Sequence, residues 1–409
     1  MINSGDTAWV LISSALVLLM TPGLAFFYGG MVRKKNILSV LMQCFIIMCV
    51  LSLQWVLFGY SLSFAPNQGF WGGFNWFGLK GVGFEAYPDY AATIPHQAFM
   101  IFQAMFAIIT PALIIGAFAE RMKFSAFLLF TLLWATFVYD PLCHWVWGMG
   151  GWLRNLGALD FAGGTVVHIN AGIAALVTAL ILGKRVNLEK NVPMPHNMPF
   201  VVLGTGLLWF GWFGFNAGSA LAANGLAVNA FVVTNTAAAA AGLSWALVEW
   251  LHNGKPTIFG VCSGAVAGLV AITPAAGFVS VIPAIIIGLL VSVFSFIAVT
   301  VIKPKLGYDD SLDAFGVHCV GGIWGALATG LFASKLVNPA GADGLFFGNP
   351  KQLFIQAVAV LVTVGYTFIV TLAIYKLVDL LIGVRVKEEE ELMGLDITQH
   401  HERAYTVLE

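Results

Sequence analysis

Long apolar runs separated by short polar segments dominate the chain of 409 residues. An apolar run of about 20 residues is long enough to cross the ~30 Å hydrocarbon core of a bilayer as a helix. Eleven runs meet this length, so the pattern predicts an all-α polytopic membrane protein. The predicted spans are 7–31, 37–62, 92–119, 124–145, 161–183, 199–219, 226–251, 258–275, 278–302, 313–333 and 352–383.

The composition supports this fold class and removes several others. Hydrophobic residues make up 59% of the chain and charged residues 10%, with a mean hydropathy of +0.88, whereas soluble domains carry about 25% charged residues. The formal net charge of −1 provides no basic field, so we expect no nucleic-acid partner. The five cysteines show no CxxC spacing, so we predict neither a disulfide framework nor a metal site, and we expect no cofactor.

The distribution of positive charge predicts the orientation of the spans. If the N-terminus lies outside, only Lys80, Arg154, Lys335 and Lys351 of the 19 lysines and arginines fall on the outer side. Cytoplasmic loops carry an excess of these residues. The pattern therefore predicts a multi-pass protein of the cytoplasmic (inner) membrane, with its N-terminus outside and its C-terminus in the cytosol.

Two histidine segments indicate an internal repeat. His168 and His318 both follow an aspartate, both are surrounded by small residues, and both precede an apolar run that ends in Ala-Leu. Their spans run in opposite directions, which is typical of inverted repeats. We therefore predict a membrane domain over 1–385, with five-helix halves at 7–183 and 199–333 and an eleventh helix at 352–383. The polar segment 386–409 is predicted to be a cytosolic tail.

The same histidines are candidates for function, because ionisable groups at membrane depth are costly and mark pathways. They enter from opposite faces, so we expect the rings to meet within hydrogen-bonding distance near mid-membrane. Two unrelated core histidines held by backbone carbonyls are the alternative. Asp160 opens the His168 span, where a carboxylate caps a helix N-terminus and adds a negative field outside a cation pathway.

Aromatic residues near these segments are the third candidate feature. Phe106 lies on one predicted helix, Trp147 follows His144 just beyond the span 124–145, and Trp212 and Phe215 precede Ser219 on a third segment. A tryptophan face beside a hydroxyl acceptor can hold a small cation by cation–π attraction and one hydrogen bond. Filling of the core and of interface belts is the ordinary role of such residues and remains open here.

Five segments together resemble the ammonium transporter/methylammonium permease/Rhesus family, on its bacterial and archaeal ammonium transporter branch. They are GDTAWVLISSALVLLMTPGLAFFYGGMVRKKN, GAFAERMKFS, DFAGGTVVHINAG, GWFGFNAGSA and FGVHCVGGIWG. The resemblance implies eleven helices in two inverted halves, a homotrimer with one pore per subunit, and uptake of ammonium or methylammonium rather than enzymatic catalysis.

By motif, the resemblance assigns roles at the outer end of the pore. Trp147, Ser219 and Phe106 resemble the outer ammonium recruitment site, and Phe106 and Phe215 resemble the phenyl pair that closes the pore below it. Asp160 resembles the carboxylate that orders this site.

The resemblance also covers the pore centre and the tail. His168 and His318 resemble the twin histidines of the centre, with Trp212 as a pore-lining aromatic beside them. The segment GLDITQHHERAY resembles the regulatory C-terminus to which PII signal proteins respond. His401 stands where the family more often has glycine, which is the one departure in this segment.

Physical chemistry favours an ammonium pathway over its competitors. A desolvated amine cation tends to lose its proton, after which neutral ammonia can cross an apolar pore, and imidazoles can exchange the proton. Three alternatives remain: a haem protein that uses both histidines as ligands, an ammonium sensor that signals through a partner, and a neutral-solute channel.

Overall fold

The computed structural model describes residues 1–188 and 194–405, and nearly all of its regular structure is helical. Within these residues, ten helices are long and apolar enough to cross a membrane, and a shorter apolar helix, Ile258–Ile272, lies among them. We number the helices α1 (Ser4–Met31), α2 (Ile37–Phe64), α3 (His96–Phe118), α4 (Phe124–Leu156), α5 (Gly164–Leu182), α6 (Met198–Gly218), α7 (Gly225–Asn253), α8 (Ile258–Ile272), α9 (Val281–Leu306), α10 (Phe315–Phe332) and α11 (Pro350–Ile382). The all-α polytopic fold is confirmed, and each predicted span coincides with one helix.

Two helix ends differ from the predicted spans because a β-hairpin or a proline limits the helix. Residues Ala91–Pro95 form a strand (β2) that pairs antiparallel with Ala86–Tyr87 (β1), so α3 begins only at His96. Helix α8 ends at Ile272, two residues before Pro274, because proline lacks the N–H that a continuing helix needs. We call the side of the molecule that carries this hairpin the hairpin face, and the opposite side the tail face.

Glycines allow the helix backbones to approach closely. A Cβ atom on Gly214 of α6 would lie 2.7 Å from Leu16 Cβ on α1, and one on Gly268 of α8 would lie 2.6 Å from the Ala237 carbonyl oxygen on α7. Packing through small residues is the usual way in which helices associate where lipid removes the hydrophobic driving force. The helix backbones are therefore closely packed at these crossings.

Helices α5 and α10 carry the two predicted histidines and touch each other. Each begins with a π-helical turn that contains its histidine, Gly164–Ile169 in α5 and Phe315–Cys319 in α10. Such turns are rare and frequently mark functional positions. A Cβ on Gly322 would lie 3.1 Å from His168 Cβ, so a glycine makes room for the histidine where the helices cross. The division into two inverted halves stays a prediction.

The C-terminal tail packs against the tail face of the bundle. Its helices are α12 (Glu388–Met393) and α13 (Leu395–His400). Ser39 N–H donates to Asp396 Oδ1 at 2.8 Å, and Leu395 N–H donates to Asn36 Oδ1 at 2.8 Å. The tail is thus hydrogen-bonded to the N-cap and the first turn of α2.

The departure at His401 has a backbone explanation. His401 ends α13 with φ 57° and ψ 30°, in the left-handed region. Glycine adopts this conformation without steric cost and is the usual residue after a helix end. The histidine keeps the same turn geometry as a glycine would, with strain in its own backbone.

A buried charge network joins the loops of the tail face. Arg185 contacts Asp309 through Nε and Nη2 at 2.9 and 2.8 Å, and its Nη1 lies 3.0 Å from Glu120 Oε2. Burial alone would raise the pKa of Asp309, but the hydrogen bonds and charge of Arg185, with the charge of Arg121, outweigh it and lower that pKa. Burial is likewise outweighed at Glu120, whose pKa is lowered by Arg185 and Arg33. Both carboxylates are therefore held in their ionised form.

Candidate functional site

A row of rings leads from the hairpin face to the middle of the bundle. Trp147 meets Phe106 edge-on with 5.8 Å between ring centroids, and Phe106 lies 4.4 Å from Phe215 at an interplanar angle of 47°. Phe215 lies 6.0 Å from His168, which in turn lies 5.5 Å from His318. The structure therefore brings together, in one line, five residues that are widely separated along the chain.

The row begins in a vestibule of about 220 Å³ on the hairpin face. Phe106, Trp147, Asp160 and Ser219 all line it. The Ser219 hydroxyl donates to the Phe215 carbonyl at 2.8 Å, so its oxygen lone pairs remain free to accept a hydrogen bond. The vestibule thus presents an aromatic face and an acceptor, the two groups that a small N–H cation needs.

Asp160 is a helix cap in this structure. Its Oδ1 accepts from Gly163 N at 2.8 Å and Gly164 N at 2.6 Å, and its Oδ2 accepts from Thr165 N at 2.7 Å and also from the Thr165 hydroxyl. The Trp147 indole N–H donates to the Asp160 carbonyl oxygen at 2.8 Å. Asp160 therefore satisfies the start of α5 through its carboxylate and orients Trp147 through its backbone.

The Phe106–Phe215 pair separates the vestibule from the centre. Both rings are buried, with exposures of 1% and 0%, and Phe102 packs behind Phe106 at 5.0 Å. A centroid distance of 4.4 Å is ordinary ring contact. In this structure the two phenyl rings close the path, and a solute can pass only if they move.

Beyond the phenyl rings lies a narrow apolar cavity that both histidines line. Its volume is about 10 Å³, close to the minimum for one water-sized molecule. The other lining residues are Met20, Leu24, Phe27, Ile109, Leu113, Val167, Leu208, Trp212, Phe215 and Val266.

The imidazole rings of His168 and His318 are nearly parallel, with an angle of 11° between their planes. Both ring nitrogens of His168 and Nδ1 of His318 are buried without a hydrogen-bond partner among the groups that the structure describes. The two rings are neighbours, but among the described groups no hydrogen bond joins them, so the hydrogen bond expected from the sequence is not found. The crossing of α5 and α10 and the rings of Trp212 and Phe215 beside His168 set the separation instead. At these three nitrogens, the alternative of core histidines held by backbone carbonyls also finds no support.

Trp212 stands beside His168, with 5.5 Å between centroids and 17° between planes. Its indole N–H donates to Thr273 Oγ1 at 2.9 Å. The polar group of the Trp212 side chain is therefore occupied, and its indole lines the cavity. A pore-lining role for Trp212 stays a prediction.

Asp310 is a site residue that the sequence reasoning missed. Its Oδ2 accepts from Phe315 N at 2.7 Å, so it caps the π-helical turn of α10 as Asp160 caps that of α5. The aspartate nearer to His318, Asp313, instead contacts Lys303 at 2.6 Å. The spacing along the chain could have identified Asp310. His168 lies eight residues after Asp160, and His318 lies eight residues after Asp310.

The sequence and the fold both resemble those of known ammonium transporters. Residues 8–405 match the model of the Ammonium Transporter Family. The chain is 57% identical to an ammonium transporter of Bacillus subtilis over 401 residues, covering 98% of each chain, and 50% identical to ammonium transporter Amt1 of Archaeoglobus fulgidus, covering 99% of this chain and 100% of that one. Among solved structures, Candida albicans Mep2 superposes with a TM-score of 0.90 at 40% identity, covering 98% of this chain and 90% of that one.

Proposed function

The chain belongs to the ammonium transporter family, and on this premise we propose that the line of rings is an ammonium pathway. In the proposal, ammonium is recruited at the vestibule, loses its proton as it passes the phenyl pair, and crosses the centre as ammonia. The observation that carries it is the set of unpartnered histidine nitrogens in an apolar cavity. A buried ring nitrogen without a protein partner can be satisfied by a small polar solute that passes.

Recruitment uses the aromatic face of Trp147 and the oxygen of Ser219. The ring quadrupole attracts a cation with about 2 kcal/mol when the site is desolvated, and the Ser219 lone pairs accept one N–H. Asp160 assists recruitment in two ways: its backbone carbonyl orients the Trp147 indole, and its negative charge attracts the cation. Methylammonium shares the charged N–H donors, so the same site would take it as a substrate.

Deprotonation follows from the cost of desolvation. Transferring an ammonium-sized ion into a medium of low dielectric costs on the order of 20 kcal/mol by the idealised Born estimate, which one or two cation–π contacts cannot offset. The neutral amine escapes this cost, so the apolar path lowers the pKa of the ion. Potassium has no proton to lose and keeps the full penalty, which is the basis of selectivity.

At the centre, His168 and His318 supply both a donor and an acceptor. A neutral imidazole carries one N–H and one bare nitrogen, and it can exchange them by changing tautomer or by titrating. The pair can therefore bind ammonia and relay the released proton along the same line.

The remaining features are proposed from charge distribution and family resemblance. We place the tail face in the cytosol of the cytoplasmic membrane, since the loops of that face hold most of the lysines and arginines. We also propose a homotrimer and a PII-type partner at the tail face. The docking of the tail on the loops there supports a regulatory role for residues 386–409.

The direct test is the electrical response of the purified protein in proteoliposomes to pulses of ammonium, methylammonium and potassium. We expect responses to the first two and none to potassium. A potassium response of equal size would contradict the proposal. Uptake of isotopically labelled methylammonium tests the alternative of a neutral-solute channel. Unlabelled ammonium should compete with the label in an ammonium transporter, whereas a neutral solute should not.

A sensor role gives a different result in the same preparation. It would show binding of ammonium and a response of a partner protein without flux. The absence of visible absorption in the purified protein would exclude the haem alternative.

A further inference from the structure

Helix α11 carries a stripe of buried polar side chains, although it lies outside the two predicted halves. Five of them share one face and are at most 2% exposed: Gln352, Gln356, Thr363, Thr367 and Thr371. Polar groups at membrane depth are tolerated when they are hydrogen-bonded. The partners of this stripe therefore show what α11 contributes.

Gln356 has the most informative partners. Its Oε1 accepts from Leu159 N at 2.8 Å, while its Nε2 donates to the Leu159 carbonyl at 2.7 Å and to the Ala326 carbonyl at 3.1 Å. This orientation of the amide is the only one that satisfies all three backbone groups, because an N–H needs an acceptor and a carbonyl needs a donor. One side chain thus binds both polar atoms of Leu159 and also reaches α10.

Leu159 is directly followed by Asp160, whose backbone and side chain build the vestibule. The Asp160 carbonyl holds the Trp147 indole at 2.8 Å, and its carboxylate caps α5. Gln352 supports the same segment by donating to the Gly157 carbonyl at 3.0 Å. The position of this loop relative to α10 is therefore set by glutamines of α11.

We propose that Gln356 is a positioning residue for the recruitment site: by clamping the peptide groups of Leu159, it places Asp160 and, through it, the indole of Trp147. The inference rests on the proposed function, because the vestibule must recruit ammonium for the positioning to matter. Without the clamp, the carbonyl that orients Trp147 can shift, and the indole no longer keeps its place in the vestibule that Ser219 also lines. Recruitment is then weakened while the path beyond the phenyl pair is unchanged.

The test compares three variants of the full-length protein in proteoliposomes. Gln356→Leu removes the amide at similar volume. Gln356→Glu keeps the shape. Its neutral carboxylic acid has one O–H donor and one carbonyl acceptor, which suffice for the two polar atoms of Leu159 but not for the Ala326 carbonyl as well, whereas the ionised form cannot donate. Thr363→Val is the matched control, because Thr363 is equally buried on the same stripe but its hydroxyl donates to Ala359 of its own helix.

For Gln356→Leu we expect the half-saturating ammonium concentration to rise about fivefold, the order expected for one lost buried hydrogen bond, with the maximal response retained. For Gln356→Glu we expect a value close to wild type in acidic buffer and a rise in alkaline buffer that exceeds any rise in wild type. Thr363→Val should match wild type. An unchanged half-saturating concentration in Gln356→Leu, or a lower maximal response with no change in half-saturation, would overturn the proposal.

A second readout does not depend on transport. Amide hydrogen exchange of the segment 157–165 should be faster in Gln356→Leu than in wild type and unchanged in Thr363→Val, since the clamp protects the Leu159 N–H. Equal exchange in all three would refute the clamp whatever the protein transports. If exchange is faster in Gln356→Leu but the wild-type protein gives no ammonium response, the clamp is supported and the proposed function is refuted.

Discussion

The indole N–H of Trp147 donates to the backbone carbonyl of Asp160 at 2.8 Å, so the ring at the mouth of the pathway is oriented by the residue that caps α5. The carboxylate of Asp160 is occupied by backbone N–H groups of the same turn. Helix capping and ring orientation are therefore properties of one residue, and a change at either end of this hydrogen bond should affect recruitment.

Replacement of Trp147 by leucine should weaken recruitment, because it removes the aromatic face and leaves the Asp160 carbonyl without its donor. We expect a several-fold higher half-saturating ammonium concentration and poorer discrimination between ammonium and methylammonium in competition assays. Trp152→Leu is the control, since Trp152 lies on the same face but is 42% exposed. Identical competition curves for wild type and Trp147→Leu would contradict the recruitment site.

Replacement of both central histidines by asparagine separates proton handling from packing. His168→Asn with His318→Asn keeps polar side chains, but an amide does not exchange protons as an imidazole does. We expect the protein to assemble, and its ammonium response to fall or its exclusion of potassium to weaken. His252→Asn, at an exposed histidine of α7, controls for the substitution. A double variant with wild-type current and wild-type exclusion of potassium would show that the pair serves packing alone.

Loss of the tail should change transport without unfolding the bundle. Deletion of the residues after Arg385 removes the hydrogen bond that Ser39 N–H donates to Asp396 and the one that Leu395 N–H donates to Asn36. We expect an altered transport rate or an altered response to nitrogen supply, with the membrane protein still assembled. Asp396→Ala should show part of the effect, and Glu388→Ala, at an exposed site of the same tail, should show none. Wild-type kinetics and regulation in the deletion would argue against a regulatory tail.

The charge network on the tail face predicts a dependence of stability on acid. The pKa of Asp309 and that of Glu120 are lowered in the folded protein, so their stabilisation is complete above the ordinary carboxyl pKa of about 4 and is lost as the pH falls through the lower folded value. We expect the melting temperature to stay level from neutral pH to mild acid and to drop below about pH 4.

Asp309→Asn tests the origin of that drop. It leaves Arg185 without its bidentate partner, which should cost about 3 kcal/mol in the free energy of unfolding at neutral pH, the scale for a broken buried pair, and should reduce the loss on acidification. Thermal unfolding of the purified protein across the pH range measures both effects. Glu388→Gln, at an exposed site, should behave as wild type, and an unchanged acid profile in Asp309→Asn would locate the effect elsewhere.

The strained turn at His401 predicts a stabilising substitution. His401→Gly should relieve about 1 kcal/mol of left-handed backbone strain and slow hydrogen exchange of α13. His400→Gly, at the last residue of α13, should have the opposite sign, because glycine is a poorer helix former than histidine and the ring contact of His400 with Phe124 is lost. Faster exchange in His401→Gly than in wild type would show that the histidine side chain stabilises the turn.

Several features were predictable because they depend on local properties of the chain. The spans follow from runs of apolar residues, and their bounds shifted where a strand took the start of α3 and where Pro274 shortened α8. Other ends also moved by a few residues, as in α9, predicted at 278–302 and found at Val281–Leu306. His168 and His318 stood out because they are ionisable groups at membrane depth, and Asp160 because a carboxylate before a helix is a cap. The roles of Trp147, Ser219, Phe106 and Phe215 came from family resemblance, since their spacing alone was equally consistent with packing.

The amino-acid sequence by itself determined the number of helices and the depth of the two histidines, because hydropathy and charge act residue by residue along the chain. Only the tertiary structure decided which side chains meet. The contact of Phe106 with Phe215, the clamp of Gln356 on Leu159 and the bond from Trp212 to Thr273 each join residues more than 50 positions apart. Such pairs depend on how each helix is rotated about its axis and on how closely glycines let the neighbouring helix approach. A hydropathy pattern does not determine the rotation or the approach, because nearly every face of these helices is apolar.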